Sequence, residues 1–416
     1  PLADTIIQVD DKLYSALKLA ETHPGGELFV RAFAGKDATD AFLSYHRRNF
    51  PHHLVKDALV GSKPSNRSAT FDKDYLELCG IIEKVLPRHK SFAPFSYYVK
   101  LFVLLGAALS IETYMHSNRA YNWYIFAVLG WLSALIGLNV QHDANHGSVS
   151  RYPFVNRALG LTQNWIGGSH LDWIHQHVVQ HHVHTNDIHT DPDIIGNPAI
   201  RINPKSPLMK WHMFQYLYVF VLLAVFGVSY SINSVYFAVR FGNFTDYSKM
   251  LRKYQFLDLL FVAIFHLRMT VMPLLFSDRS VTLTLCNILP LYIVGGYYLS
   301  FFFLISHNFE GVHMFDSSKP SKQDESFLYA QVTSSCNVGG GFLAMMNGGL
   351  NYQIEHHLFP RIQHTHYSRI APYVAQFCKV KGIPYVHFPT ISGNVRATMA
   401  HLMTMGTQED PAVKLM

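Results

Sequence analysis

The chain has 416 residues, 34 Lys and Arg against 28 Asp and Glu, and a formal net charge of +6, with 49% hydrophobic, 14% aromatic and only 15% charged residues. So little charge at this length argues against an ordinary soluble protein. The positive excess is too dispersed for nucleic acid and suits basic loops facing an anionic membrane leaflet. Cys79, Cys286, Cys336 and Cys378 lack paired spacing, which excludes a disulfide framework and points to reduced thiols in a cytosol-facing protein.

Residues 1–60 are mixed and polar, so no cleavable signal peptide is expected, and the start at Pro1 reads as a trimmed terminus. Residues 1–62 read as a small domain of their own. It holds His23-Pro-Gly-Gly26, then Ala34-Gly-Lys-Asp-Ala-Thr-Asp-Ala-Phe42, then Phe42-Leu-Ser-Tyr-His46. Pro24 and the two glycines predict a tight turn. The pattern resembles the haem-binding core of a cytochrome b5 domain. The resemblance implies that His23 and His46, 23 residues apart, ligate a haem b iron axially. Two axial imidazoles leave no open position for oxygen, so such a haem passes single electrons. The 22 residues before His23 are few for that family, which predicts a truncated first strand.

The polar stretch 61–68 reads as a linker, and Tyr75 to Leu86 as an amphipathic helix, within a connecting segment 63–94. Apolar runs follow at about 95–115, 122–141, 213–237, 256–276 and 281–306, each near the length that crosses a bilayer. The body is bounded at 95–390, leaving 391–416 as a C-terminal tail whose last residues, Val413-Lys-Leu-Met416, are no anchor or retrieval signal. Only an even number of crossings between His182 and His307 returns the chain to one side, so one of the three intervening runs must lie in the interface. Asp258, His266 and Arg268 are costly at a bilayer centre and nominate 256–276. The basic loop Arg240, Lys249, Arg252 and Lys253 argues for 213–237 instead. The first assignment is the expected one, and glycosylation at Asn243-Phe-Thr245 would test it.

Three histidine clusters straddle these runs: His142-Asp-Ala-Asn-His146, His177-Val-Val-Gln-His181-His182 and Gln353-Ile-Glu-His356-His357. In helices, residues three and four apart share a face, so His142 would project with His146, His177 with His181, and Gln353 with His356 and His357. So many imidazoles exceed the four ligands of one zinc. A thiolate-free set suits iron or copper, and the number suggests two ions.

Residues 95–390 resemble membrane fatty acid desaturases of the front-end subgroup that carries a fused cytochrome b5 domain. The HxxxH, HxxxHH and QxxHH boxes carry the resemblance, as does Ile305-Ser-His307-Asn-Phe-Glu310, which is similar to the site of a further ligand. It implies iron ligation by His142, His146, His177, His181, His182, His307, His356 and His357. Gln353 is then a weak ligand or a hydrogen-bonding neighbour. Removing hydrogen from an unactivated methylene needs a strong oxidant, hence two irons and O2. Ligating imidazoles need outer partners, for which Asp143, Asp187, Asp191, Asp193 and Glu355 are candidates. His170, His175, His184 and His189 are expected to hydrogen-bond or face solvent. His89, His116, His266, His364, His366 and His401 are expected to play no catalytic part. Trp165 and Trp173 are expected to pack rather than line an acyl tunnel. Gly339-Gly-Gly341 and Gly348-Gly349 are expected to permit close packing beside the third box.

The fold implied is mainly α: a multi-span membrane domain of about four transmembrane helices plus interfacial helices, with a cytosolic metal-binding cap, preceded by a small α+β domain. The activity implied is insertion of a cis double bond into a polyunsaturated acyl chain, between an existing double bond and the carboxyl end. Two non-haem irons, haem b and O2 are implied, with electrons from NADH through cytochrome b5 reductase. The acyl substrate is a CoA ester or a phospholipid, nucleic acid is excluded, and the place is the endoplasmic reticulum membrane with both sites facing the cytosol. Alternatives on the same machinery are a sphingoid-base desaturase, a hydroxylase or an acetylenase; a membrane electron-transfer cytochrome is the alternative from another class.

Overall fold

The computed structural model describes residues 3–64, 72–195, 198–240, 247–319 and 326–408. Three short antiparallel strands, Ile6–Val9, Lys12–Ser15 and Leu59–Ser62, open and close the N-terminal domain. Ile7, Val9 and Tyr14 turn inward from them. Helices Ala16–Thr22, Glu27–Ala32 and Thr39–His46 lie between the second and third strands. The Ser15 side chain accepts the Lys18 N–H and so caps the first helix. The expected glycine turn follows it. Gly26 has φ 85° and donates its N–H to the His23 carbonyl, while a Cβ on Gly25 would lie 2.8 Å from the His23 ring. Any larger residue would strain the backbone at the first position or displace the imidazole at the second.

Among the described residues, five helices are long and apolar enough to cross a membrane by length and composition: Arg88–Ser117, Trp123–Asn145, Lys210–Arg240, Lys249–Phe276 and Val281–His307. Phe95, Phe102, Val103, Leu109 and Tyr114 stand exposed along the first, as lipid-facing side chains do. The second is mostly enclosed by its neighbours. At Gly130 it meets the last helix so closely that a Cβ would fall 2.4 Å from the Leu291 carbonyl oxygen. Such small-residue contacts are how helices associate where lipid offers no hydrophobic driving force.

The charges in 256–276 are satisfied, against the expectation that they force this run into the interface. The Asp258 carboxylate accepts from Asn164, Ser169 and the backbone N–H of His170, beside the second histidine box. Arg268 makes a two-pronged pair with Glu112, each contact 2.5 Å. Just past the helix, Arg279 donates to Asn122, in the turn between the first two long helices. This helix therefore runs from the histidine-bearing end of the bundle to the opposite end. The 215–240 helix has both ends near the histidine-bearing side. Gln215 exchanges hydrogen bonds with Arg201, and Phe237 packs on Tyr247, which donates to Asp172. The sequence argument weighed charge against depth but could not see the partners. The possible glycosylation acceptor at Asn243 lies outside the described residues.

The amphipathic segment is the helix Asp72–Val85, whose Tyr75, Leu78, Cys79 and Ile82 are buried against helices Phe327–Thr333, Gln353–Leu358 and Tyr367–Lys381. The Tyr75 hydroxyl donates to the Leu358 carbonyl, tying the segment to the third box. The expected C-terminal tail begins with a packed helix, Ile391–Thr407, which buries Asn394, Thr398, His401, Leu402 and Met405. That three-and-four spacing is an amphipathic helix signature. All four cysteines are free, as their spacing predicted.

Candidate haem slot and metal centre

A cavity of about 710 Å³ opens between His23 and His46. Phe33, Phe42 and Leu54 line it from the small domain, and His146, Arg151 and Arg361 from the body. The two imidazole rings stand 5.9 Å apart, centre to centre, on opposite sides of the slot. His23 Nδ1–H donates to the Gly26 carbonyl (2.8 Å) and His46 Nδ1–H to that of Phe42 (3.1 Å). Each Nε2 is thereby left unprotonated and available to a metal. Burial lowers both pKa values, that of His46 to about 3, so the pair stays neutral. Apolar walls, two facing neutral imidazoles and arginines for the propionates fit a haem.

The second centre draws on five segments. The long helix from Trp123 widens into a π turn over Gly137–Gln141 and ends in the turn His142–Asn145, followed by His146. The second box also lies on a π turn, Ile174–His181, running into His182–His184. Wider turns eclipse residues five apart, and His177 Nε2 and His182 Nε2 come within 3.2 Å. His307 ends the last long helix, and Gln353–Leu358 carries the third box. These segments converge as two overlapping clusters. His142, His146, His177 and His356 form one; His181, His307 and His357 form the other; His182 stands with His356 and His357 between them. The ligand atoms of each group lie within 4.8 Å of one another.

The first box keeps His142 and His146 together in one cluster, as helical spacing predicted, whereas the second and third boxes are each split between the two. His177 and His181 part company, and His356 and His357 do too. The Gln353 amide lies 2.8 Å from His307 Nε2 and 3.1 Å from His357 Nε2, inside the second cluster. Burial holds His146, His177, His182, His356 and His357 well below the ordinary imidazole pKa. They are therefore neutral, as metal ligation requires. His142 has both ring nitrogens buried without a protein partner, and His146 has its Nε2 so. Buried polar atoms without partners are costly; these nitrogens in the first cluster, and the unpartnered Gln353 amide oxygen beside the second, fit bound metal ions.

Outer partners hold most of the rings. His181 Nδ1 meets the buried Asp191 carboxylate at 3.1 Å and Asp193 at 3.3 Å. Burial alone would lower the His181 pKa, but these two acids outweigh it and raise it. His307 Nδ1–H donates to the Ser334 carbonyl, His357 Nδ1 meets Gln331 and Thr185, and His356 Nδ1 meets the Tyr367 hydroxyl. His146 Nδ1 meets Tyr45, from the haem domain, at 2.7 Å.

Of the five acids expected as outer partners, Asp191 and Asp193 reach a ligand. Asp143 binds His364 and Gln363 instead, Asp187 caps the turn at His189 and Thr190, and Glu355 is held by Asn337 and Tyr385. Burial pushes the Glu355 carboxyl up to about 7.

His170 and His175 are buried, His175 stacking on Tyr247, while His189 pairs with Asp316 near the surface. His364, expected to stand apart, is buried and tied to Asp143, next to His142 in the chain. Trp173 packs on His177, ring centres 4.5 Å apart, whereas Trp165 is half-exposed under Arg268. Gly348, at φ 64°, lets the third-box turn pass so near the Leu138 carbonyl that no Cβ would fit. Sequence reasoning missed Tyr45, Gln331, Ser334 and Tyr367; only Tyr45, adjacent to His46, carried a positional hint.

Residues 120–389 match the family described as fatty acid desaturase, and residues 3–63 match the cytochrome b5-like haem/steroid binding domain. The chain is 43% identical over 405 residues to an acyl-lipid (7-3)-desaturase of Rebecca salina, covering 96% of this chain and 90% of the relative. It is 39% identical over 403 residues to an acyl-lipid (7-3)-desaturase of Diacronema lutheri, with the same coverage. It is 29% identical over 433 residues to an acyl-lipid (8-3)-desaturase of Physcomitrium patens, covering 98% and 92%. Convergent histidines, apolar helices and both matches agree: this chain belongs to the fatty acid desaturase family and carries a cytochrome b5 domain at its N-terminal end.

Proposed function

We propose that the chain is a front-end acyl-lipid desaturase. It places a cis double bond in a polyunsaturated acyl chain between an existing double bond and the carboxyl end. The observation that carries this reading is the pairing of a bis-imidazole slot with two adjoining imidazole clusters on one face of an apolar helix bundle. The names of the Rebecca salina and Diacronema lutheri relatives favour the (7-3) position, and an acyl-lipid rather than a CoA ester.

In this reading His23 and His46 hold haem b. His142, His146, His177 and His356 hold one iron, His181, His307 and His357 the other, with His182 between them. Gln353, whose amide lies beside His307 and His357, would serve as a weak ligand of the second ion or as a hydrogen-bonding neighbour. Bound iron would supply O2 activation, and the oxygen would remove hydrogens from adjacent methylenes. The protein's own part is to keep His146, His177, His182, His356 and His357 neutral, to fix the tilt of the rings through Asp191, Ser334, Gln331 and Tyr367, and to exclude water by burial. Electrons come from NADH through a separate cytochrome b5 reductase. The natural divisions are 1–62, 63–94, 95–390 and 391–416, with both sites on the cytosolic side of the endoplasmic reticulum membrane. The contacts of Asp258 and Arg279 favour 256–276 as a crossing helix, and those of Gln215 and Phe237 favour 213–237 as the run that stays on the histidine-bearing side.

The test is fatty acid profiling of yeast that expresses the chain and is fed C18, C20 and C22 polyunsaturated acids separately. A product with one added double bond on the carboxyl side, found in phospholipid before the CoA pool, is expected. No such product from protein loaded with iron and haem would shift the reading to a sphingoid substrate or to hydroxylation.

A further inference from the structure

The haem slot and the metal centre adjoin where His146 lines the slot and Tyr45 meets its ring. Tyr45 is adjacent in the chain to His46, lines the haem slot, and places its hydroxyl 2.7 Å from His146 Nδ1. The other ring nitrogen of His146, Nε2, is buried without a partner and lies in the cluster with His142, His177 and His356. From one proposed haem ligand to one proposed iron ligand, the connection is therefore a single peptide unit, the Tyr45 side chain, one hydrogen bond and one imidazole. Other contacts across this boundary lead elsewhere. Glu27 meets Lys253 and Tyr254, Asp4 meets Lys249, and Arg47 meets the Leu86 carbonyl.

We infer that Tyr45 couples the two centres: it is the bridge by which each electron passes from the haem to the iron held by His146, and it positions that imidazole. This rests on the proposed function above. Tunnelling decays more slowly along covalent and hydrogen bonds than across van der Waals gaps, so this path dominates over any route through slot contacts. Phe29 packs against the Tyr45 ring, centre to centre 5.8 Å, and fixes its direction. With Nε2 of His146 turned into the cluster, its Nδ1–H donates to the Tyr45 hydroxyl oxygen. One transfer takes the haem from ferrous to ferric and one iron from ferric to ferrous. No bond breaks, and Tyr45 is itself neither oxidised nor reduced. Two transfers per double bond, with two electrons from the substrate, balance the four that reduce O2 to water.

The test compares the full chain with its Tyr45→Phe variant, both loaded with haem and iron. Ferrous haem is mixed with O2 and acyl substrate, and its visible band is followed by stopped flow. The variant is expected to reoxidise its haem about tenfold more slowly, because a hydrogen bond in the path is replaced by a van der Waals gap. Its haem spectrum, its iron content and its rate of haem reduction by the reductase should match the parent. Chemical reduction of the iron should restore parental single-turnover product, because that bypasses the bridge. Reoxidation at the parental rate would overturn the inference, as would slow reoxidation accompanied by lost iron. A parent chain that binds neither haem nor iron would overturn the functional reading and the bridge together.

Discussion

The haem slot and the metal centre are both built from imidazoles, yet they are assembled in opposite ways. His23 and His46 lie on one small domain, and each is oriented by a backbone carbonyl three or four residues from it. The metal centre gathers rings from His142 to His357, and its outer partners are mostly side chains and carbonyls distant in sequence, such as Gln331 for His357 and Ser334 for His307. The first is a local construction that the body only closes over. The second exists only when the whole body is folded. Two backbone-oriented ligands suit a centre that changes charge without changing ligands, while a crowded cluster with unpartnered nitrogens suits one that must hold two ions beside a reacting oxygen.

If the two centres are separate in this way, damage to one should leave the other intact. His356→Ala removes a ligand from the meeting point of both clusters, where His182 Nε2 lies 3.0 Å from His356 Nε2. Desaturation should fall below detection and iron content should drop, with the haem spectrum unchanged. Product formation near the parental level would show that His356 is no ligand. The converse is His46→Ala. It should abolish haem absorbance and stop turnover driven by NADH and reductase, yet leave iron bound. Turnover sustained in cells would mean that a free cytochrome b5 supplies the electrons instead.

The same contrast governs what the sequence disclosed. The slot was legible down to its glycines, because His23-Pro-Gly-Gly26 encodes a local turn and the ligand spacing is local too. The boxes were legible as residues but not as geometry. The widened turn over Ile174–His181 carries successive rings of the second box to different clusters, and nothing in a HxxxHH spacing announces a π turn. Proximity in sequence found Asp191 for His181, yet failed for Asp143 and Glu355, whose buried partners His364 and Tyr385 come from other elements. The charges of 256–276 misled for the same reason: Glu112, which satisfies Arg268, belongs to another helix.

A smaller blow sharpens the comparison at the metal centre. Asp191 is buried and bonded to His181, and it also accepts the backbone N–H groups of Asn186 and Asp193. Asp191→Asn keeps the shape but removes the charge that fixes the His181 tautomer. Metal affinity or turnover should fall by about tenfold to a hundredfold, the usual cost of a ligand's outer partner. Metal titration of the apo-protein would read this directly. Unaltered affinity would mean that Ser334, Gln331 and Tyr367 orient the centre without it. The haem side offers no equivalent substitution, because its ligands are held by carbonyls.

The weakest expected effect lies where the two regions meet. Glu27, on the haem domain, accepts from Tyr254 at 2.5 Å and pairs with Lys253, both from the body, and with its own neighbour Arg31 at 2.8 Å. The Lys253 ammonium and the Tyr254 hydroxyl hold its carboxyl at about 2, below an ordinary value near 4.5. A depressed carboxyl pKa adds stability above the ordinary value, and loses it as pH falls from there toward the depressed one. Docking should therefore be insensitive to pH above about 4.5 and loosen between about 4.5 and 2. Partly exposed pairs contribute only about 0.2–1 kcal/mol, so Glu27→Gln should leave haem, iron and fold intact. It should slow haem reoxidation slightly at low salt, by loosening the face that presents Tyr45 to His146, and make it less sensitive to added salt, because the screened pair is gone. A variant with the parental salt profile would show that the apolar contacts around Tyr45 hold the domains alone. The ion pair would then be incidental, and the haem domain would be as firmly built into the body as the metal centre is.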